Sequence, residues 1–265
     1  MVTVKTKLLG LIGNPISHSI SPELHNHILN KYGMDYVYLG LPIKPNQLEK
    51  GVSGLKALGI KGVNVTIPYK KKVISYLDEI EEWAQKIGAV NTIVNREGKL
   101  VGYNTDGIGF KKMMSVDNGV SLSDKKVLIV GAGGAARSVA AVFCESGVKE
   151  IMIANRTREN ADQLVDKYNR LYPSKKVFLK SFSLNELSRS DMIGVDIVVN
   201  ATPVGMSPDT DVETVLLKEA KKRGATVING LGMLLHQASE SFRIWTDYRP
   251  NIEDYQVFLN NKDLF

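Results

Sequence analysis

The chain has 265 residues, with 34 Lys and Arg against 28 Asp and Glu for a net charge of +6, 43% hydrophobic and 23% charged residues. This ordinary globular usage excludes a disordered chain, a collagen and a disulfide-stapled miniprotein, and at roughly 150 residues per domain it predicts two domains. The single cysteine, Cys144, can make neither an internal disulfide nor a cysteine-built zinc site and fits a reducing compartment, while the basic excess suits nucleic acid or a polyanionic small ligand equally well.

Near the N-terminus the apolar run Leu8–Gly13 is cut by Asn14-Pro15. It is too short for a signal-peptide core, and no stretch approaches the ~20 apolar residues that span a bilayer. The expectation is a cytoplasmic protein without a membrane partner. Lys7–Ile12 reads as a buried strand. Pro22–Tyr32 has helical spacing through Leu24, Ile28 and Leu29, with Ser21 placed to cap it ahead of Pro22. Tyr36–Pro42 reads as a strand, Gln47–Leu58 as a helix stopped by Gly59, and Gly62–Ile67 as a strand. Short helices follow at Lys71–Leu77 and Ile80–Ile87. Glu97-Gly98 then joins Thr92–Asn95 to Leu100–Tyr103 as a hairpin. Glycines 107, 109 and 119 mark Asp106–Ser123 as a flexible junction.

Beyond the junction, Lys126–Val130, Glu150–Ala154, Val177–Leu179, Asp196–Asn200 and Thr226–Ile228 read as strands. Helical patterns occupy Ala135–Ser146, Glu159–Tyr172, Val215–Lys222 and Met233–Trp245. Such alternation predicts an α/β protein with mainly parallel sheets.

A buried strand runs into Gly131-Ala132-Gly133-Gly134-Ala135 and then a small-residue helix. Glycines let a backbone approach a pyrophosphate, and a helix N-terminus offers free N–H groups and a positive dipole end. The pattern points to a Rossmann-type dinucleotide-binding domain; the plainer reading is a tight turn with no ligand. An NAD site usually carries an acid about 20 residues on, at the end of the second strand. Here that strand runs into Asn155-Arg156-Thr157-Arg158, which suits the 2′-phosphate of NADP(H) or, more plainly, a solvated helix start.

Several polar segments precede the junction. Ser19 and Ser21 sit two apart in a loop and could both donate to one anionic oxygen pair, or Ser21 could simply cap a helix. Lys70 follows the strand ending Asn64-Val65-Thr66-Ile67-Pro68, where a lysine can point into a crevice or into water. Asn91, in Gly88-Ala89-Val90-Asn91-Thr92, and Asp106, in Asn104-Thr105-Asp106-Gly107, could be functional or turn chemistry alone.

As an ordered set these segments, with Asn200-Ala201-Thr202-x-x-Gly205-Met206 and Met233-Leu234-x-x-Gln237, resemble the shikimate dehydrogenases along nearly the whole chain. The resemblance implies reversible NADPH-dependent reduction of 3-dehydroshikimate to shikimate, a step towards chorismate and the aromatic amino acids. It implies that Ser19 and Ser21 hold the substrate carboxylate. Thr66, Asn91, Asp106 and Gln237 would bind ring hydroxyls, and Lys70 and Asp106 would form the catalytic pair. Gly131, Ala132, Gly133, Gly134 and Ala135 would cradle the pyrophosphate, and Asn155, Arg156, Thr157 and Arg158 the 2′-phosphate. Thr202, Met206 and Gly230 would lie near the ribose and nicotinamide, and no metal is implied. Residues 1–106, completed by helices in 238–265, would form the substrate domain, and 107–237 the NADP domain, with hinges near Asp106–Gly109 and Leu235–Gln237.

The chain departs from the family pattern after Met206. A strand and an Asp-x-x-Tyr-x-Pro motif expected there are missing, and Ser207–Thr214 leads straight into a helix. A central strand cannot be removed without stranding its neighbours' backbone groups. We therefore expect residues to be missing from the sequence near Asp211–Glu213, rather than a sheet closed differently. Rival readings are a quinate/shikimate dehydrogenase with broader NAD(P) use and a metabolite- or nucleotide-sensing homologue without turnover. Nucleic acid is disfavoured because the basic residues carry no aromatic interleaving. The partner expected is the small-molecule substrate, with the protein a monomer or homodimer.

Overall fold

Leu9, Leu11 and Ile12 are all buried, yet Leu9 and Leu11 join one hydrophobic core and Ile12 another. A strand sandwiched on both faces reads as a continuous apolar run rather than an alternating one. The computed structural model describes residues 2–173, 177–204 and 215–260. In chain order it contains β1 (Lys7–Gly13), α1 (Ser21–Lys31), β2 (Tyr36–Pro42), α2 (Leu48–Ala57), β3 (Gly62–Val65), β4 (Glu79–Ile80), α3 (Glu82–Ile87), β5 (Thr92–Arg96), β6 (Lys99–Tyr103) and α4 (Asp106–Lys112). There follow β7 (Lys126–Val130), α5 (Gly134–Glu145), β8 (Glu150–Asn155), α6 (Arg158–Leu171), β9 (Phe178–Ser183), β10 (Ile197–Asn200), α7 (Val215–Lys222), α8 (Leu231–Thr246) and α9 (Ile252–Asn260). Two compact units result, Met1–Gly109 with Val204–Phe265 and Phe110–Pro203.

The first unit is built on a six-stranded sheet of order β2-β1-β3-β5-β6-β4. β1 runs parallel to β2 and β3, and β5 runs antiparallel to β3 and β6. On one face Leu24, Ile28 and Leu29 of α1 meet Leu235, Phe242 and Trp245 of α8 and Tyr255 and Phe258 of α9. On the other, Val52 and Leu55 of α2 pack with Val63, Val65 and Ile93. The C-terminal helices therefore complete the N-terminal sheet. Trp245 is buried, its Nε1 donates to the Ile93 carbonyl at 2.9 Å, and it lies where any side chain at residue 62 would be, so β3 needs glycine there.

The second unit carries a fully parallel four-stranded sheet of order β10-β7-β8-β9. α5 is buried from Ala136 to Cys144, which accounts for its small residues.

Some elements differ from expectation. Ser21 is the first residue of α1 rather than its cap; Ile20 holds that position, and the Ser19 hydroxyl accepts the Ser21 N–H at 3.3 Å. Lys71–Leu77 contains a 3₁₀ turn over Lys72–Tyr76. The helix expected from Ile80 starts at Glu82, because the Glu81 carboxylate caps the N–H groups of Trp83 and Ala84 at 2.9 and 3.2 Å. β9 reaches Ser183, paired with β8 throughout. Thr226–Ile228 forms no strand. A short apolar run becomes a strand only beside a pairing neighbour, and among the described residues β10 pairs with β7 alone. The break expected near Asp211–Glu213 lies outside the described residues, as does Met206. Gly107 and Gly109, expected as flexible backbone, are helical, as are Leu235–Gln237. A Cβ on Gly109 would lie 2.5 Å from the Met233 carbonyl, so this glycine serves a close approach of α4 to α8.

Candidate active site

The polar residues of the first unit gather where parallel strands end, the edge at which open α/β sheets bind ligands. Ser19 and Ser21 lie in the loop after β1 with their hydroxyls 3.1 Å apart. Thr66 follows β3, its N–H bonded to the Ile12 carbonyl at 2.9 Å. Lys70 lies four residues on, and its carbonyl accepts the Val90 N–H at 2.7 Å, which ties it to the segment carrying Asn91 into β5.

Lys70 Nζ meets Asp106 Oδ2 at 2.6 Å. The side chains are 18% and 7% exposed, so the pair is largely dry yet the ammonium keeps an open side. Asp106 opens α4, where a carboxylate is favoured by the helix dipole. Its second oxygen, Oδ1, accepts from Asn91 Nδ2 at 2.9 Å. The Asn91 amide has one possible orientation. Its Oδ1 accepts the Thr105 backbone N–H at 2.8 Å, and an N–H can only donate, so Nδ2 must face the carboxylate. Asn91 Nδ2 also reaches Thr105 Oγ1 at 2.9 Å and Gln237 Oε1 at 3.4 Å. Gln237 is steadied by its Nε2 donating to the Leu234 carbonyl at 3.0 Å. Hydrogen bonds thus join Lys70, Asp106, Asn91 and Gln237. Ser19, Ser21 and Thr66 share the sheet edge without bonding to that cluster.

Behind it lie the buried side chains of Asn64, Thr92, Thr105 and Ser241. Asn64, Thr92 and Thr105 flank residues that the sequence marks out. Ser241 carries no motif; its only sequence signal is that it lies four residues after Gln237, hence on the same helix face.

The second unit holds the glycine turn. Gly131 has φ +114°, and a Cβ there would lie 3.0 Å from the Ala201 carbonyl oxygen, so only glycine fits. Gly133 caps α5, and the space its Cβ would occupy is open. Ala132, Gly134 and Ala135 complete the turn into the first turn of α5. At the end of β8, Asn155 Nδ2 donates to the Thr157 carbonyl at 2.7 Å, shaping the loop into α6. Arg156 is exposed, whereas Arg158 Nη1 meets Glu186 at 2.8 Å. Thr202 donates to Asn200 Oδ1 at 2.6 Å after β10. Gly230 is the cap residue of α8 and belongs to the first unit. Among the described residues no three His, Cys, Asp or Glu side chains are grouped to hold a metal, and no helix is long and apolar enough to cross a membrane.

Residues 11–93 match the shikimate dehydrogenase substrate-binding domain, 113–225 shikimate/quinate 5-dehydrogenase, and 230–254 the shikimate 5′-dehydrogenase C-terminal domain. The shikimate dehydrogenase (NADP(+)) of Halothermothrix orenii is 44% identical over 271 residues, covering 93% of each chain. The chain belongs to the shikimate dehydrogenase family. A crystal structure of a shikimate dehydrogenase in complex with NADP+ shares 43% identity at a TM-score of 0.89, over 99% of this chain and 97% of that one. The Listeria monocytogenes enzyme, in complex with shikimate and NAD, shares 35% identity at 0.86, over 97% and 98%. Because 93% of 265 residues is about 246, about 25 of the 271 positions aligned with the H. orenii family member have no counterpart in this chain.

Proposed function

We propose that this chain is an NADP-dependent shikimate dehydrogenase, reversibly reducing 3-dehydroshikimate to shikimate on the route to chorismate and the aromatic amino acids. The observation that carries the reading is the Lys70–Asp106 pair with the Asn91 amide on its far oxygen, at the strand edge of the unit that matches the family's substrate-binding domain.

The second unit fits the cofactor: the backbone turns through glycine at residue 131, the space beside Gly133 is open, the α5 N-terminus offers free N–H groups, and Arg156 is available to a phosphate. NADPH supplies the hydride when bound. In this reading Gly131–Ala135 hold the pyrophosphate and Asn155, Arg156, Thr157 and Arg158 the 2′-phosphate, with Thr202, Met206 and Gly230 towards the ribose and nicotinamide. On the substrate, the Ser19 and Ser21 hydroxyls hold the carboxylate. Thr66, Asn91 and Gln237 hold ring hydroxyls.

Reduction of a ketone builds negative charge on its oxygen, which needs a nearby cation and a proton. Lys70 Nζ supplies both, donating the proton to that oxygen. Asp106 holds the ammonium through Oδ2 and accepts from a substrate hydroxyl. Asn91 keeps Oδ1 fixed, so the carboxylate does not have to reorganise during the reaction. The same reading makes the protein cytoplasmic, monomeric or homodimeric, and without a nucleic-acid partner.

Initial rates followed at 340 nm with shikimate or quinate and NADP or NAD test it. Shikimate with NADP should be the fastest combination. Quinate with NAD as the fastest would replace this reading by the quinate one, and a folded protein without turnover would make it a sensor.

A further inference from the structure

Ser241 is fully buried on α8, and its Oγ touches four groups. It lies 3.0 Å from Asn64 Nδ2, 2.8 Å from Thr92 Oγ1, 3.1 Å from Thr105 Oγ1 and 3.0 Å from the carbonyl of Gln237. Proton counting constrains these contacts. A carbonyl only accepts, so the single Ser241 hydrogen goes to Gln237; an amide nitrogen only donates, so Asn64 fills one Ser241 lone pair. The remaining lone pair receives a hydrogen from Thr92 or Thr105.

Those two threonines are the groups that surround Asn91. Thr105 Oγ1 accepts from Asn91 Nδ2 at 2.9 Å, and whichever threonine does not donate to Ser241 is left to donate to Asn91 Oδ1, Thr92 at 3.1 Å or Thr105 at 3.3 Å. Asn91 in turn bonds Asp106 at 2.9 Å. We infer that Ser241 is a positioning residue: it fixes the two threonine hydroxyls, and through them the Asn91 amide against Asp106. Ser241 is too deeply buried to meet a ligand, so its effect on turnover must pass through those neighbours. Anchoring to Gln237 by the same hydroxyl means that one side chain sets both α8 and the catalytic carboxylate. The inference rests on the shikimate dehydrogenase reading above.

The experiment compares wild type with Ser241→Ala and Ser241→Thr, measuring kcat for shikimate oxidation and its isotope effect with deuterium on the carbon that loses hydride. Melting curves accompany each variant. Ser241→Ala should lower kcat about tenfold, the scale of one buried hydrogen bond lost, and raise the isotope effect because the chemical step becomes slower relative to product release. Ser241→Thr, which keeps the hydroxyl, should stay within about threefold of wild type. A partly unfolded preparation would lower kcat without moving the isotope effect. Unchanged kcat in Ser241→Ala, or a fall with an unchanged isotope effect, overturns the inference. If Ser241→Ala does not fold, Ser241→Cys carries the same expectation, and failure of both to fold makes the serine purely structural and overturns it too. Absence of wild-type turnover would instead overturn the functional reading, and this inference with it.

Discussion

The two halves of the chemistry are built in opposite ways. In the first unit the polar side chains are committed to one another: Lys70 to Asp106, Asp106 to Asn91, Asn91 to Thr105 and Gln237. In the second, two of the features proposed to meet the cofactor stand open, Arg156 being exposed and the space beside Gly133 free, while Arg158 holds Glu186 at a solvated surface. Stabilising charge that develops on one oxygen requires dipoles already in place before the reaction. A phosphate carries its charge permanently, and a guanidinium can meet it from a solvated loop in forked geometry. A locked site on the substrate side and an open one on the cofactor side follow from that difference.

The largest test removes the cation from the locked site. Lys70→Ala should reduce kcat by a factor on the order of 10² to 10⁴, while NADPH affinity by fluorescence titration stays near wild type. A variant that turns over normally would take Lys70 out of the mechanism.

Acid should find the first unit before the second. His25 is buried, stacked at 4.5 Å on Tyr38, and its Nδ1 has no hydrogen-bond partner. Burial pushes its pKa down to about 3, with a bond to Asn64 opposing. The unfolded chain therefore binds a proton below about pH 6.5 that the folded one refuses down to about pH 3. Stability contributed by neutral His25 is complete above that window and falls as pH drops through it, by up to ~1.4 kcal/mol per pH unit. Urea melts from pH 7 to 4 should show a shallower slope for His25→Gln; an identical slope would clear His25 of the effect.

On the open side, Arg156→Ala should weaken NADPH binding about ten- to a hundredfold, the loss of a charge-assisted bond, and leave NADH binding within a factor of about two. Equal losses for both cofactors would remove Arg156 from 2′-phosphate recognition. Ser19→Ala should have the smallest effect, raising KM for shikimate about five- to tenfold with kcat little changed. Ser21, 3.1 Å away, keeps one donor at the carboxylate.

Much of the fold is legible in the sequence. The hairpin at Glu97-Gly98 was visible from two residues, because a tight turn between antiparallel strands demands positive φ, found here as 54° and 89°. Lys70, Asn91 and Asp106 read as one set only because their motifs occur in the order of the family they resemble; singly each is ambiguous, and nothing local says that they touch. Thr226–Ile228 misled, since its apolar residues satisfy strand propensity while strand formation depends on a partner elsewhere. Gly109 misled in the opposite way: a glycine beside a junction reads as flexible, and its backbone is helical because another helix passes close to it.

The sequence by itself determined the α/β alternation, the two-part organisation and the glycine turn, because each is written in neighbouring residues and in period, and its ordered motifs carried the resemblance from which roles for Lys70 and Asp106 are proposed. Tertiary structure alone decided that α8 closes the first sheet, that Asn91 can face Asp106 in only one orientation, and that Ser241 stands behind both. Those facts rest on buried hydrogen bonds between residues up to 177 positions apart, such as Asn64 to Ser241. Each donor and acceptor there is satisfied only once the surrounding core has excluded water.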